Sequence, residues 1–257
     1  MSRVLVVIPT LERSSMCRRA VDSLLAQSFT EWNLVIAKNG GSAHVSAYAE
    51  TLGKVLDDPR VRLLVLPGSG LGYALNEGIE RYISSFSYFA NLEDDDEWDS
   101  GFLEVMVSTL QLSGADVANC LQRQVPMKRQ SNGGPMHPGA IRRHNWINFP
   151  MCLYRADLYH RVGGFSVDAG PATDWDFHLR ALSVGAKYAF VDQVLMTHHW
   201  HSSNYCVVSQ GEGLRFIRSQ VAAGVYDLPT ANTVDHWLSE SSAVQVTRRS
   251  RRRARGG

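Results

Sequence analysis

The chain has 257 residues, 44% hydrophobic and 20% charged, which is enough to bury a real core in one α/β domain or two small ones. These are the fractions of an ordinary globular protein, and no apolar run approaches the ~20 residues that cross a bilayer, so neither a disordered chain nor a membrane-spanning one is expected. The net charge of +1 is uneven: six arginines lie in the tail "RRSRRRARGG", and removing them leaves the body at −5.

That tail, residues 246–257, reads as a solvated, disordered end. It has no interleaved aromatic residue and follows an acidic body, so a nucleic-acid partner is not expected. The opening "MSRVLVVIPT" is too short for a signal-peptide core, and the four cysteines (Cys17, Cys120, Cys152, Cys206) show no CxxC pair. Idle thiols in a reducing cytoplasm are the expectation.

In chain order, "RVLVVI" (3–8) is a β-branched run of the kind buried on both faces of a parallel sheet. "SSMCRRAVDSLLAQS" follows as an amphipathic helix, with Ser14 or Ser15 expected as its cap. A strand at 33–37, a turn at "NGG", a helix around 43–56, a strand at 62–66, "PGSGLG", a helix at 73–83 and a strand at 87–92 complete the first half. This alternation predicts an α/β fold with a Rossmann-like, mostly parallel central sheet and helices on both faces. In such sheets ligands lie beyond the carboxyl ends of the strands. The second half is less regular. A helix near 100–112, a strand at 115–121, a long polar stretch from 122 to 149, a strand at 151–155 and a helix stopped by Gly163 and Gly164 lead to "TDWDFHLRALSVG" (173–185). There Thr173 and Asp176 have capping-box spacing. "KYAFV" and "VLMTHHWH" read as two further strands, and the last sixty residues are weakly helical.

The strand at 87–92 runs directly into "EDDDEW", where Glu93, Asp94, Asp95 and Asp96 are consecutive. Such crowding is unfavourable unless water or a cation screens it. The acids could simply favour the dipole of the next helix. They could supply the ribose-binding acid of a dinucleotide site, since "GSGLG" follows a strand and opens a helix, but its glycines are spaced GxGxG and not GxGxxG. Or they could hold Mg²⁺ or Mn²⁺ together with substrate phosphates.

The order of "VLVVIPTLER", "AQSFTEWNLVIAKNGGS", "GLGYALNEGI", "NLEDDDEW" and "TDWDFHLRA" resembles the family 2 glycosyltransferases over residues 3–205. The resemblance implies a GT-A fold, with residues 1–97 as the nucleotide-sugar-binding half and 98–245 as the acceptor-binding half of the same domain. It implies transfer of a sugar from a nucleoside-diphosphate sugar to an acceptor hydroxyl, with inversion and assisted by a divalent cation, Mg²⁺ or Mn²⁺. Carried onto this chain, it makes Pro9, Thr10, Glu12, Arg13, Lys38, Asn39, Asn76, Asp94 and Asp95 the donor-binding residues. Asp95 bridges to the metal, His201 reaches it, and Asp174 is the general base. At a helix N-terminus Asp174 is expected to stay ionised and to be a weaker base for it. Of His198, His199 and His201, at least two are expected in surface or core roles.

Three positions depart from the family pattern: Lys38 and Leu75 stand where an aspartate and an arginine are common, and Thr173 replaces a glutamate. The tip of Lys38 is expected to stay wet, with the base held around Pro9 and Asn39. The departures leave donor base and sugar open. They also keep two alternatives in view, a degenerate GT-A fold that only binds carbohydrate or nucleotide, and an NAD-dependent nucleotide-sugar enzyme. The acceptor class is not legible in the sequence.

Overall fold

The computed structural model describes residues 3–126, 133–204 and 211–228. The arginine tail, Cys206 and the end of the predicted second half lie outside these residues.

Eight strands form one mixed sheet in the order β3-β2-β1-β4-β7-β6-β8-β5. The first four are β1 (Val4–Thr10), β2 (Trp32–Lys38), β3 (Val61–Val65) and β4 (Tyr88–Asn91). They are parallel, with Val4 opposite Trp32, Thr10 opposite Lys38, and Val7 opposite Asn91. Every residue of β1 is buried, as a strand covered on both faces requires. Because the chain starts in β1 and adds β2 on one side and β4 on the other, the crevice between their carboxyl ends falls at a topological switch point.

The helices between them are α1 (Ser14–Leu25), α2 (Val45–Leu52) and α3 (Leu71–Glu80). α1 buries Cys17, Ala20, Val21 and Leu24, the expected stripe. Neither Ser14 nor Ser15 caps it: the cap position is Arg13, which makes no side-chain capping bond, because a guanidinium carries donors only and cannot accept a helix N–H. The glycines of "GSGLG" serve packing. A Cβ on Gly72 would stand 2.3 Å from the Ser166 carbonyl oxygen, so only glycine lets α3 meet the second half there.

The second half begins with β5 (Glu97–Trp98) and α4 (Phe102–Ser113), then β6 (Val117–Val125), the short α5 (Pro138–Ile141), β7 (Cys152–Arg155) and α6 (Ala156–Val162). It ends with α7 (Thr173–Ser183), β8 (Tyr188–His199) and α8 (Glu212–Ala222). β7 runs antiparallel to both β4 and β6, while β6 and β8 are parallel. The two strands expected near 187–201 are one, β8, whose pairing with β6 shifts register around Leu121. Such an irregularity bends a strand and interrupts its alternation. The expected capping box at α7 is absent: Thr173 Oγ1 donates to Gly170 O at 2.6 Å, and Asp176 pairs with Arg180 at 2.6 Å.

An aromatic cluster joins the halves beneath the crevice. Phe89 of β4 stacks on Tyr154 of β7 with centroids 4.8 Å apart, and Phe165 meets Phe149 at 4.9 Å and Phe177 at 4.6 Å. Trp98 of "EDDDEW" stacks on Phe102 at 4.2 Å and donates its indole N–H to Pro150 O at 2.6 Å. The tryptophan thereby fixes the acid cluster against the 149–151 turn. Cys17, Cys120 and Cys152 are free, buried thiols. Among the described residues, no helix is long and apolar enough to cross a membrane.

Candidate active site

Two cavities open beyond the strand ends. The first, about 350 Å³, is lined by Pro9, Thr10, Leu11, Arg13, Asn39, Ser69, Gly70, Leu71, Glu93 and Asp94. The second, about 240 Å³, includes Arg13, Leu71, Glu93, Asp95, Asp96, Asp174, His198 and Asn204. Arg13, Leu71 and Glu93 belong to both and form the neck between them.

In the first cavity Thr10 Oγ1 donates to Asp94 Oδ2 at 2.6 Å and lies 2.7 Å from the Tyr48 hydroxyl. Burial pushes the Asp94 carboxyl up to about 7, against the opposing pull of Thr10 and Arg13. Asn39 is buried, and its Oδ1 has no partner among the described residues, leaving a hydrogen-bond acceptor to be satisfied by a ligand. Lys38 lines neither cavity. It is fully buried, and its Nζ donates to Gly41 O at 2.9 Å. The expectation of a solvated tip is therefore corrected, because the tight turn at Gly40 and Gly41 (φ of 77° and 71°) folds a carbonyl back over the strand end within reach of the ammonium.

Two other predicted donor contacts are also turned away. Asn76 uses both ends of its amide on the Phe165 backbone, donating to its carbonyl and accepting from its N–H, each at 2.8 Å. Glu12, at a φ of 56°, is exposed and faces His44 at 3.6 Å. That left-handed step reverses the chain, so that Arg13 points into the site while Glu12 points out. Leu75 is wholly buried in the core.

Around the acid cluster, Asp94 and Asp95 share one guanidinium, while Asp96 and Glu97 each have a histidine. Arg13 Nη1 lies 3.4 Å from Asp94 and 3.0 Å from Asp95, and its Nη2 donates to Ser203 O. Asp95 Oδ2 also meets His201 Nε2 at 2.9 Å and the Asn204 amide at 3.2 Å. Asp96 is paired with His198 Nδ1 at 2.9 Å and accepts the His199 N–H, while the His199 ring turns to Glu97 at 2.6 Å. Burial raises the Asp96 carboxyl and the His198 partnership lowers it, with burial prevailing. Glu93 is held well above the usual carboxylate range, first by burial and then by Asp95, Asp96 and Asp94. Arg13 and Asn204 supply contacts here that motif reading did not anticipate for Asp95. For Arg13 the signal was its place in "PTLER"; Asn204 had none.

Asp174 sits at the second position of α7 and faces the second cavity. Its Oδ1 accepts the Trp175 N–H at 2.7 Å and its Oδ2 accepts from the Asn145 amide at 2.9 Å. Burial nevertheless pushes its carboxyl up to about 7, outweighing these bonds. This corrects the expectation of a carboxylate weakened as a base by the helix terminus, since desolvation dominates.

A family model for glycosyl transferase family 2 matches residues 5–167. The chain belongs to the family 2 glycosyltransferases. Among relatives of this glycosyltransferase, an uncharacterized glycosyltransferase of Rickettsia felis is 24% identical over 213 residues, 77% of this chain and 34% of that protein. The GalNAc(5)-diNAcBac-PP-undecaprenol beta-1,3-glucosyltransferase of Campylobacter jejuni is 27% identical over 124 residues, 47% of this chain and 39% of that protein. The chain thus spans little more than a third of the length of these relatives. Among solved structures, S. aureus TarS 1-349 in complex with UDP-GlcNAc superimposes with a TM-score of 0.70 at 15% identity, covering 93% of this chain and 71% of that one. The mannosyltransferase PcManGT of Pyrobaculum calidifontis, in complex with GDP-Man and Mn²⁺, gives 0.66 at 15% identity, covering 93% and 69%. The fold is the GT-A fold of such glycosyltransferases, a mixed α/β sheet with helices packed on it.

Proposed function

We propose that the chain transfers a glycosyl unit from a nucleoside-diphosphate sugar to an acceptor hydroxyl, with inversion and with the help of a divalent cation. The observation that carries the reading is the neck at Arg13, Leu71 and Glu93, with Asp95 and Asp174 lining one cavity beyond it. A nucleoside in the first cavity and its sugar in the second would leave the diphosphate at this neck, beside a guanidinium suited to phosphate oxygens. Asn39 would then read the base through its unpartnered carbonyl oxygen.

The residues fit a cation that keeps part of its coordination for water and phosphate. Asp95 Oδ2 and His201 Nε2 converge within 2.9 Å, and among the described residues no set of three His, Cys, Asp or Glu side chains is arranged to hold a metal by itself. Asp95 and His201 would hold the ion, and phosphate oxygens would complete its shell. When bound, such an ion stabilises the negative charge of the departing nucleoside diphosphate.

Asp174 does the proton work in this reading. It takes the proton from the acceptor hydroxyl as that oxygen attacks the anomeric carbon from the face opposite the diphosphate. One displacement of this kind inverts the configuration. A carboxylate with a pKa near 7 is a competent base at neutral pH.

The test is calorimetry with UDP, GDP and dTDP, each with and without Mn²⁺, alongside NAD, followed by turnover of the donor that binds and NMR of the product's anomeric configuration. Cation-dependent binding of one diphosphate, its loss of cation dependence in Asp95→Asn, and an inverted product are expected. Binding of NAD alone, or a retained configuration, would overturn the reading.

A further inference from the structure

Resting on the transferase reading above, we infer that the acceptor is an uncharged sugar, its attacking hydroxyl presented to Asp174 by the cavity wall that β6 and β8 build. Gln122 and Gln124 of β6, His198 of β8 and Trp200 just beyond it form this wall. Gln122 is fully buried, and its Oε1 accepts from the Asn148 amide at 3.3 Å, but its Nε2 has no partner among the described residues. The indole N–H of Trp200 is likewise buried and without a partner among them. Buried donors are ordinarily satisfied. Two orphan donors in one cavity call for a ligand that carries oxygen acceptors without needing a counter-charge.

Charge narrows the class further. Glu93, Asp95, Asp96 and Asp174 all line this cavity, and among its described lining residues Arg13 is the one guanidinium or ammonium. That guanidinium already serves Asp94, Asp95 and Ser203 O. A phosphorylated or carboxylated acceptor would set another anion beside these acids and beside a leaving diphosphate, and His198, the one basic side chain among the described residues of the β6–β8 wall, is already paired with Asp96. Phe149, Pro150 and Pro171 give the cavity apolar faces, and Trp200 is held edge-on to His198 with centroids 5.2 Å apart. Apolar faces with a few placed hydrogen-bonding groups suit the C–H faces and hydroxyls of a pyranose.

Saturation-transfer NMR on the full chain, with Mg²⁺ and the nucleoside diphosphate that calorimetry shows to bind, would compare methyl hexopyranosides with glucose 6-phosphate and glucuronic acid. The neutral glycosides should bind and both anions should bind at least about tenfold more weakly, a difference of about 1.4 kcal/mol. Gln122→Leu and Trp200→Phe should each weaken the glycosides by about tenfold while nucleotide affinity, measured by calorimetry, stays at the wild-type value. Should Gln122→Leu fail to fold, Gln122→Met keeps most of the side chain's length and volume and removes the donor, and it should show the same loss. Anions that bind as well as the neutral sugars, glycosides that do not bind at all, or variants that leave glycoside binding unchanged would overturn the inference. A wild-type chain that bound no nucleoside diphosphate in the same calorimetry would instead bring down the transferase reading itself.

Discussion

The nucleotide side of the site and the transfer side are built in different ways. Pro9, Thr10, Asn39 and Asp94 sit at or just beyond the ends of parallel strands, β1 and β2 paired as far as Thr10 and Lys38 and β4 paired as far as Asn91 opposite Val7, so strand pairing sets them side by side and Thr10 Oγ1 ties in Asp94. Asp174, Asn145, Gln122, Trp200 and His201 come from a helix N-terminus, a loop, an irregular strand and the segment that follows it. Gln122 and Trp200 are placed by main-chain pairing along β6 and β8, Trp200 N–H donating to Val125 O at 2.7 Å, whereas Asp174, Asn145 and His201 are brought to them by side-chain contacts. The first arrangement is rigid and reads a ligand with backbone-anchored groups. The second can be changed residue by residue without disturbing the sheet. Variants on one side should therefore leave the other side's binding intact.

The strongest test of that separation is Asp174→Asn. Transfer should fall by about 10²–10⁴-fold, the usual contribution of a positioned general base, while donor affinity by calorimetry stays within about twofold of wild type. Loss of donor binding would mean the two sides are not separable. Near-normal turnover would leave Asp174 as the terminal residue of a helix and nothing more.

pH should act through the same residue. With the Asp174 carboxyl at about 7, kcat/KM should rise about tenfold per pH unit up to that point and level off above it, spanning about 100-fold between pH 5 and 7. Stability should run the other way. A carboxyl raised in the folded state binds more protons there than in the unfolded chain, so the native state loses stability as pH climbs from the ordinary aspartate range through about 7. Asp94, also raised to about 7, contributes in the same sense. Thermal unfolding at pH 8 should find Asp174→Asn more stable than wild type by about 1–2 kcal/mol, a shift of a few degrees. At pH 4 the two should be equal. A wild-type chain whose stability rises between pH 5 and 8 would contradict the burial argument for both carboxyls.

Arg13 lies on the boundary and should spoil the separation. It is the cation shared by both cavities, and it bonds Asp94, Asp95 and the Ser203 carbonyl at once. Arg13→Gln should weaken nucleoside diphosphates by about 10–100-fold, as the loss of charge-assisted bonds to phosphate implies, with the corresponding nucleoside monophosphate affected less. Equal losses for both would place Arg13 on the nucleoside and not on the diphosphate.

The two sides also differed in how far the sequence revealed them. "RVLVVI" and "NLVIA" could be recognised because a strand buried on both faces is apolar at every position, and once the strands are ordered the acids of "EDDDEW" can only lie at the crevice. β8 was divided in two because the register shift opposite Leu121 breaks the pattern that marks a single strand. The capping roles of Ser14, Ser15 and Thr173 failed because both helices start earlier than the motifs suggest, with Arg13 and Ala172 at the cap positions and Thr173 Oγ1 donating back to Gly170 O. Asn76 has the right type and place for a donor contact, and its commitment to Phe165, 89 residues on, is visible only once the chain is folded.

Lys38 should give the smallest functional effect and separates the two kinds of construction most finely. It stands where the motif resemblance implies an aspartate, yet its ammonium is spent on Gly41 O beneath the turn. The same turn is fastened to the β3–α3 connection, Gly40 N–H donating to Gly68 O at 2.9 Å and Gly41 N–H to Leu66 O at 2.7 Å. Lys38 therefore supports the loop that presents Asn39 and is expected to touch no nucleotide. Removing its buried stem in Lys38→Ala should cost about 1–3 kcal/mol of stability, and Lys38→Met, which refills most of that space, should recover part of it. Relative affinities among UDP, GDP and dTDP should shift by less than about tenfold in both variants, about 1.4 kcal/mol. Asn39→Ala should shift them more, because it removes the unpartnered oxygen in the cavity itself. If Lys38→Met instead lost one nucleotide selectively while keeping wild-type stability, the ammonium would have to reach the base, and the turn over Gly41 would have to open when the donor binds.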